Sequence, residues 1–129
     1  MSEPRVVLDT SVIVAGLRSQ LGASNRVLAM LARQQIVPLV TTALFLEYED
    51  VLNRPEQRLA TGMATEQVAG FLAAYASAAE AVDVYFTWRP QLADPSDELV
   101  LEAAANGRAS AIVTHKRAGL PAGGTRLRY

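Results

Sequence analysis

Apolar positions fall along the chain in two kinds of run, short unbroken blocks and longer stripes spaced by three and four. Val6 to Leu8, Ile36 to Val40 and Ala111 to Thr114 are blocks of aliphatic and β-branched residues without polar alternation, which predicts strands covered on both faces. Pro38 has no N–H for a ladder, which predicts that the second strand lies at an edge or begins late. Between the blocks, helices are predicted over Val12 to Leu17, over Val27 to Arg33 with Gly22 and Ser24-Asn25 as break and cap, and over Ala43 to Asn53 with Thr41-Thr42 as cap candidates and Pro55 as stop. Arg54 to Met63 reads as a loop.

The second half continues the pattern. Thr65 is the expected cap of a long helix in which Val68, Leu72, Tyr75, Ala79 and Val82 recur in one stripe. Val84 to Phe86 reads as a short strand and Arg89 to Ala93 as a loop. From Asp94 a helix is predicted to Ala105, closed by Asn106-Gly107, and Thr125 to Tyr129 adds a last short strand. Strands alternating with helices predict an α/β fold, a twisted, mostly parallel sheet of four to five strands flanked by helices and joined by right-handed crossovers.

Composition narrows the chemistry. The 129 residues contain no Pro/Gly/Ser-rich linker and are 50% hydrophobic, so residues 1–129 are expected to form a single domain with one core. No apolar run reaches the roughly 18 residues of a membrane span, and no cationic signal-peptide pattern opens the chain; a soluble, cytoplasmic protein is expected. The absence of cysteine excludes disulfides, thiolate metal sites and cysteine nucleophiles, so any metal must bind oxygen. A net charge of -1 argues against a wholly basic nucleic-acid binder and leaves room for a local basic patch. Eleven of the twelve cations are arginine, the residue suited to bidentate phosphate or carboxylate contacts. No P-loop and no GxGxxG occurs.

Three carboxylates stand where apolar positions are expected. Asp9 ends the first strand, at the sheet edge where open α/β folds bind ligands; it either caps the following helix or serves a site there. Glu47 lies three residues after Leu44 and four before Val51, at the border of the stripe of Leu44, Tyr48, Val51 and Leu52, while Glu49 and Asp50 turn away. An ion pair or a side chain reaching out to solvent is its structural alternative. Asp97 precedes Val100, Leu101 and Ala104 in line with the apolar face, whereas Glu98 and Glu102 face outward. Asp94, Pro95 and Asp97 also make a capping arrangement aligned with the helix dipole. If Asp9, Glu47 and Asp97 converge, their repulsion calls for a hard cation, Mg²⁺ or Mn²⁺, of the kind that activates water and neutralises a phosphodiester. Ser11 adds a hydroxyl.

The ordered set Val7-Leu8-Asp9-Thr10-Ser11-Val12, Leu46-Glu47-Tyr48-Glu49-Asp50-Val51-Leu52 with Arg54-Pro55, Asp94-Pro95-Ser96-Asp97 through Ala103-Ala104, and Ile112-Val113-Thr114 resembles the PIN-domain family of metal-dependent ribonucleases. The likeness is to toxin components of the VapC kind. It implies a PIN-like three-layer fold, single-stranded RNA as substrate, Mg²⁺ or Mn²⁺ as cofactor, frequent homodimers, and an antitoxin partner in toxin-antitoxin pairs. Carried over by position, Asp9, Glu47 and Asp97 form the acidic metal site, with Asp94 as a further ligand and Ser11 and Thr114 as supporting hydroxyls. One departure stands out: two residues after Thr114, where the family carries Asp or Asn, the chain has Lys116, its only lysine. Such a cation weakens a second metal or contacts phosphate in its place, with Arg117 beside it. His115 is read as a surface loop residue, and Arg117, Arg126 and Arg128 as guides for an RNA backbone or solvated charges. A catalytically degenerate PIN protein that binds RNA or a protein partner without cleavage is the rival reading, and a phosphoacceptor receiver domain the third.

Overall fold

The computed structural model describes residues 3–85, 95–115 and 126–128. The chain runs β1 (Arg5–Leu8), α1 (Thr10–Arg18), α2 (Ala23–Ala32), β2 (Val37–Val40), α3 (Thr42–Leu52), α4 (Pro55–Thr61), α5 (Thr65–Ala78), β3 (Glu80–Ala81), α6 (Pro95–Gly107), β4 (Ala111–Val113) and β5 (Arg126–Arg128). The strands form one sheet in the order β3-β2-β1-β4-β5. The first four are mutually parallel and β5 adds an antiparallel edge. The α/β class and the mostly parallel sheet are as the alternating pattern predicts.

β1 is central because Val6, Val7 and Leu8 are apolar on both faces. Val7 and Leu8 are fully buried, and Leu39 and Ile112 on the flanking strands join them in the core. Tyr48, Leu44 and Leu52 of α3, Val68, Leu72 and Tyr75 of α5, and Val100, Ala103 and Ala104 of α6 complete it. α6 packs on β1, β2 and β4 and against α3, and α1 packs on α2, α3 and α4.

Several expectations are corrected. β2 is not an edge strand, since β3 pairs with its Leu39 and Val40. Pro38 is tolerated because successive N–H groups point to opposite sides of a strand. Val37 donates to Pro4 on the β1 side, so the position of Pro38 faces the other side, where β3 has not yet begun. Arg54 to Met63 is not a loop: Pro55 stops α3 and at the same time opens α4 at its first turn, which Gly62 closes in the left-handed region (φ 73°). α2 begins at Ala23, with Gly22 preceding it, so Ser24 and Asn25 lie inside the helix rather than capping it, and the Asn25 side-chain amide donates to the Gly16 carbonyl at 2.9 Å. The stripe of α5 stops at Tyr75, as the helix ends before Ala79 and Val82. Thr65 is its first helical residue, and Gln67 accepts from the Ala64 N–H. The short strand after α5 is Glu80–Ala81, not Val84 to Phe86. Val84 and Tyr85 are exposed non-strand residues, and Phe86, like the loop expected over Arg89 to Ala93, lies outside the described residues.

α6 runs through Gly107, and the left-handed residue that ends it is Arg108 (φ 54°). Gly107 has another task. A Cβ there would stand 2.9 Å from Val82 Cγ2 and 3.0 Å from Leu39 Cδ1, so the glycine lets the end of α6 approach the sheet closely.

Candidate functional site

Parallel strands and returning helices bring the candidate residues to one edge. The carboxyl ends of β1 and β4 are neighbours, with Leu8 paired to Val113. α3 follows β2 and α6 precedes β4, so both helices start at that edge if they return against parallel strands. Asp9 lies one residue beyond β1, Thr114 one residue beyond β4, and Asp97 in the first turn of α6.

Asp9 is wholly buried. It occupies the position before α1, yet its side chain makes no cap hydrogen bond, which disposes of the capping alternative. Oδ2 instead accepts from the Ser11 hydroxyl at 2.7 Å and from the Thr114 hydroxyl at 2.9 Å. Oδ1 is buried with no hydrogen-bond partner among the described residues. The backbone fixes the residue as well: the Asp9 N–H donates to Val113 O at 2.9 Å, and the Tyr48 hydroxyl donates to Leu8 O at 2.5 Å. Burial holds the Tyr48 hydroxyl well above its ordinary pKa, with the nearby Tyr75, Asp9 and Glu47 acting in the same direction, so it remains a donor throughout the working pH range.

Glu47 is half-buried, and its Oε2 accepts from the Thr10 hydroxyl at 2.7 Å. Adjacent residues of the β1-α1 junction thus carry two of the three acids' contacts, Asp9 itself and Thr10 for Glu47. Glu49 and Asp50 are exposed, as expected, and Asp50 pairs with Arg54 at 2.8 Å. Asp97 is 1% exposed. It shares the inner face of α6 with buried Val100 and Ala104, while Leu101 is half-buried; Glu98 and Glu102 are half-buried too, not turned fully outward. Among the described residues, no group of three or more His, Asp or Glu side chains is disposed to hold a metal ion. Asp94, Lys116 and Arg117 lie outside the described residues, and Arg126 and Arg128 are placed only as members of β5.

Sequence reasoning offered Ser11 and Thr114 as supporting hydroxyls, and both donate to Asp9, but it missed Thr10 and Ser24. Thr10 signals itself only as a polar residue at a strand-to-helix junction. Ser24 is buried at 6% exposure and stands 3.3 Å from the ring Nδ1 of His115; the backbone N–H of His115 donates to Ser11 Oγ at 3.2 Å. His115 is exposed, as expected of a loop residue, yet it closes a ring of contacts from α1 through α2 to the end of β4.

An α/β domain with carboxylates and hydroxyls gathered beyond the ends of parallel strands belongs to the class whose sites open at the sheet's carboxyl edge. Comparison with protein-family models matches the PIN domain over residues 5–118, and the chain belongs to that family. Its fold is therefore a nuclease-type fold, which sets the receiver reading aside. No curated protein and no solved structure matches the chain. No described helix is long and apolar enough to cross a membrane.

Proposed function

We propose that this protein is a metal-dependent endoribonuclease that hydrolyses phosphodiester bonds in single-stranded RNA, with Mg²⁺ or Mn²⁺ as cofactor. The observation that carries the reading is Asp9: a wholly buried carboxylate at the sheet edge, with one oxygen held by Ser11 and Thr114 and the other without a hydrogen-bond partner among the described residues. An uncompensated buried carboxylate is costly, and a hard cation taking oxygen ligands relieves it. Glu47 and Asp97, with Asp94, are proposed as its companions. When bound, the cation supplies charge neutralisation at the phosphate and activation of a water. The chain's own part is to fix Asp9 through Ser11, Thr114 and the Leu8 carbonyl, and to hold Glu47 through Thr10. Lys116 and Arg117 are proposed to contact the RNA backbone.

The test pairs cleavage with stability. Purified protein is incubated with assorted single-stranded RNAs in Mg²⁺, in Mn²⁺ and in chelator, and its melting temperature is followed as metal is added, since a ligand of the folded state raises it by mass action. Metal-dependent cutting and a metal-dependent rise, both absent in Asp9→Asn, are expected. RNA binding with no cutting in either metal would make the chain the non-cleaving PIN protein instead. A toxin role in the cytoplasm, with an antitoxin partner and a homodimeric state, is the further part of the proposal that rests on the family resemblance. A neighbouring short reading frame for a small DNA-binding protein is its check.

A further inference from the structure

The Ser11 hydroxyl is held from two sides. Its Oγ donates to Asp9 Oδ2 at 2.7 Å and accepts from the backbone N–H of His115 at 3.2 Å. A serine hydroxyl has one proton and two lone pairs, and it turns the proton to suit its neighbours. An N–H on one side of the oxygen leaves the proton to the carboxylate on the other. Asp9 is therefore oriented from two consecutive residues at the end of β4, directly by the Thr114 hydroxyl and, through Ser11, by the N–H of His115.

His115 is exposed just past β4, where the ladder no longer fixes the backbone, and its ring supplies the anchor. Nδ1 stands 3.3 Å from the Ser24 hydroxyl, which suits either tautomer of the ring, as donor or as acceptor. Ser24 lies in the first turn of α2 with 6% exposure, and His115 is the one hydrogen-bonding partner of its side chain among the described residues. A buried polar group is normally paired, so the contact serves Ser24 as much as His115. The place of Ser24 is set in turn by α1. A Cβ at Gly16 would stand 3.0 Å from Ser24 O and 2.6 Å from Leu28 Cδ1, so glycine lets the two helices come this close, and the Asn25 amide donates to Gly16 O at 2.9 Å. The contacts close on themselves, from Ser11 and Gly16 on α1 to Ser24 on α2 and back through His115.

We propose that Ser24 and His115 are positioning residues for Asp9: the buried Ser24 hydroxyl holds the His115 ring, which keeps the His115 N–H on Ser11 and so commits the Ser11 proton to Oδ2. α2, which carries no acidic residue, thereby sets the geometry of the carboxylate. The use of that geometry, to hold a divalent cation through Asp9, rests on the nuclease reading; the linkage itself does not.

Two measurements separate the linkage from the metal. In chelator, amide hydrogen exchange followed by NMR reports the N–H of residue 115 without any cation. Ser24→Ala and His115→Ala are expected to lower its protection several-fold, while the Asp9 N–H, bonded to Val113 O, stays protected. In a Mn²⁺ titration followed by calorimetry, the same variants are expected to weaken binding by about three- to tenfold, short of the roughly 10–100-fold that follows loss of a ligand's own hydrogen-bond partner. His115→Asn, whose side-chain amide comes near the position of Nδ1, is expected to restore both values. Because His115 is exposed, its two variants decide the matter if Ser24→Ala does not fold. Unchanged protection at residue 115, or no difference between His115→Asn and His115→Ala, overturns the proposal. Lost protection in a protein that binds no Mn²⁺ even as wild type defeats the nuclease reading and upholds the linkage. Mn²⁺ binding that is equally tight in wild type and in every variant does the reverse.

Discussion

The Tyr48 hydroxyl and the Leu8 carbonyl oxygen are 2.5 Å apart, so the middle of α3 is tied to the last residue of β1, immediately before Asp9. The same helix carries Glu47 one position earlier. One buried tyrosine thereby couples the placement of two candidate ligands. Tyr48→Phe keeps the ring, which meets Tyr75 edge-on at 5.3 Å, and removes only the donor. Leaving a buried carbonyl without this partner costs about 1–3 kcal/mol. Urea denaturation is expected to show that loss, together with weaker metal stabilisation than in wild type.

Thr114 acts on Asp9 from the other strand. Thr114→Val preserves shape and removes the hydroxyl 2.9 Å from Oδ2, leaving Ser11 as the donor to that oxygen among the described residues. A destabilisation of roughly 1–2 kcal/mol is expected, and RNA cleavage is expected to fall with the metal requirement shifted to higher concentration. Unchanged metal dependence would show that Ser11 alone suffices to orient Asp9.

The start of α3 is set by Thr41, whose side chain accepts from the Leu44 N–H at 3.1 Å. Thr41→Ala is expected to cost about 1 kcal/mol, the usual worth of such a cap. Thr41→Ser, which keeps the acceptor, is expected to restore most of it. Thermal unfolding of the pair separates the cap from the loss of the threonine methyl.

Gly107→Ala has opposing consequences that magnitude decides. Alanine favours a helix by up to about 1 kcal/mol over glycine, but the new methyl would press on Val82 and on fully buried Leu39 at 2.9–3.0 Å. Overpacking of this kind costs roughly 1–3 kcal/mol. A lower melting temperature is expected, and a higher one would show that the sheet can give way there.

Arg5 reaches past the start of β2 to Glu80 of β3 at 2.6 Å. Its hydrogen bonds hold the Glu80 carboxyl below its ordinary pKa. A carboxylate depressed in the folded state adds stability above its unfolded pKa and loses it as the pH falls through the folded value. Both side chains are more than one-third exposed, so the contribution is roughly 0.2–1 kcal/mol after screening. Glu80→Gln is expected to show that difference at neutral pH, and the gap should close on acidification below roughly pH 4 and in high salt.

Much of this protein was legible in its sequence because the relevant physics is local. Unbroken blocks such as Val6 to Leu8 and Ala111 to Val113 can only be buried strands, Thr41 before an apolar stripe starts a helix, and an acid among apolar neighbours, as at Asp9 and Asp97, needs a reason to be there. What misled was also local: Pro55 and Gly62 read as loop signals although the same two residues begin and end α4, and Pro38 read as an edge signal. The tertiary structure decided whatever depends on residues distant in the chain. Only the pairing of β1 with β4 brings Thr114 to Asp9, and only the seating of α3 brings Tyr48 to Leu8 and Glu47 to Thr10. Sequence periodicity records which face of an element is apolar, whereas a hydrogen bond between residues 105 positions apart depends on how the strands are ordered in the sheet, which no local pattern encodes.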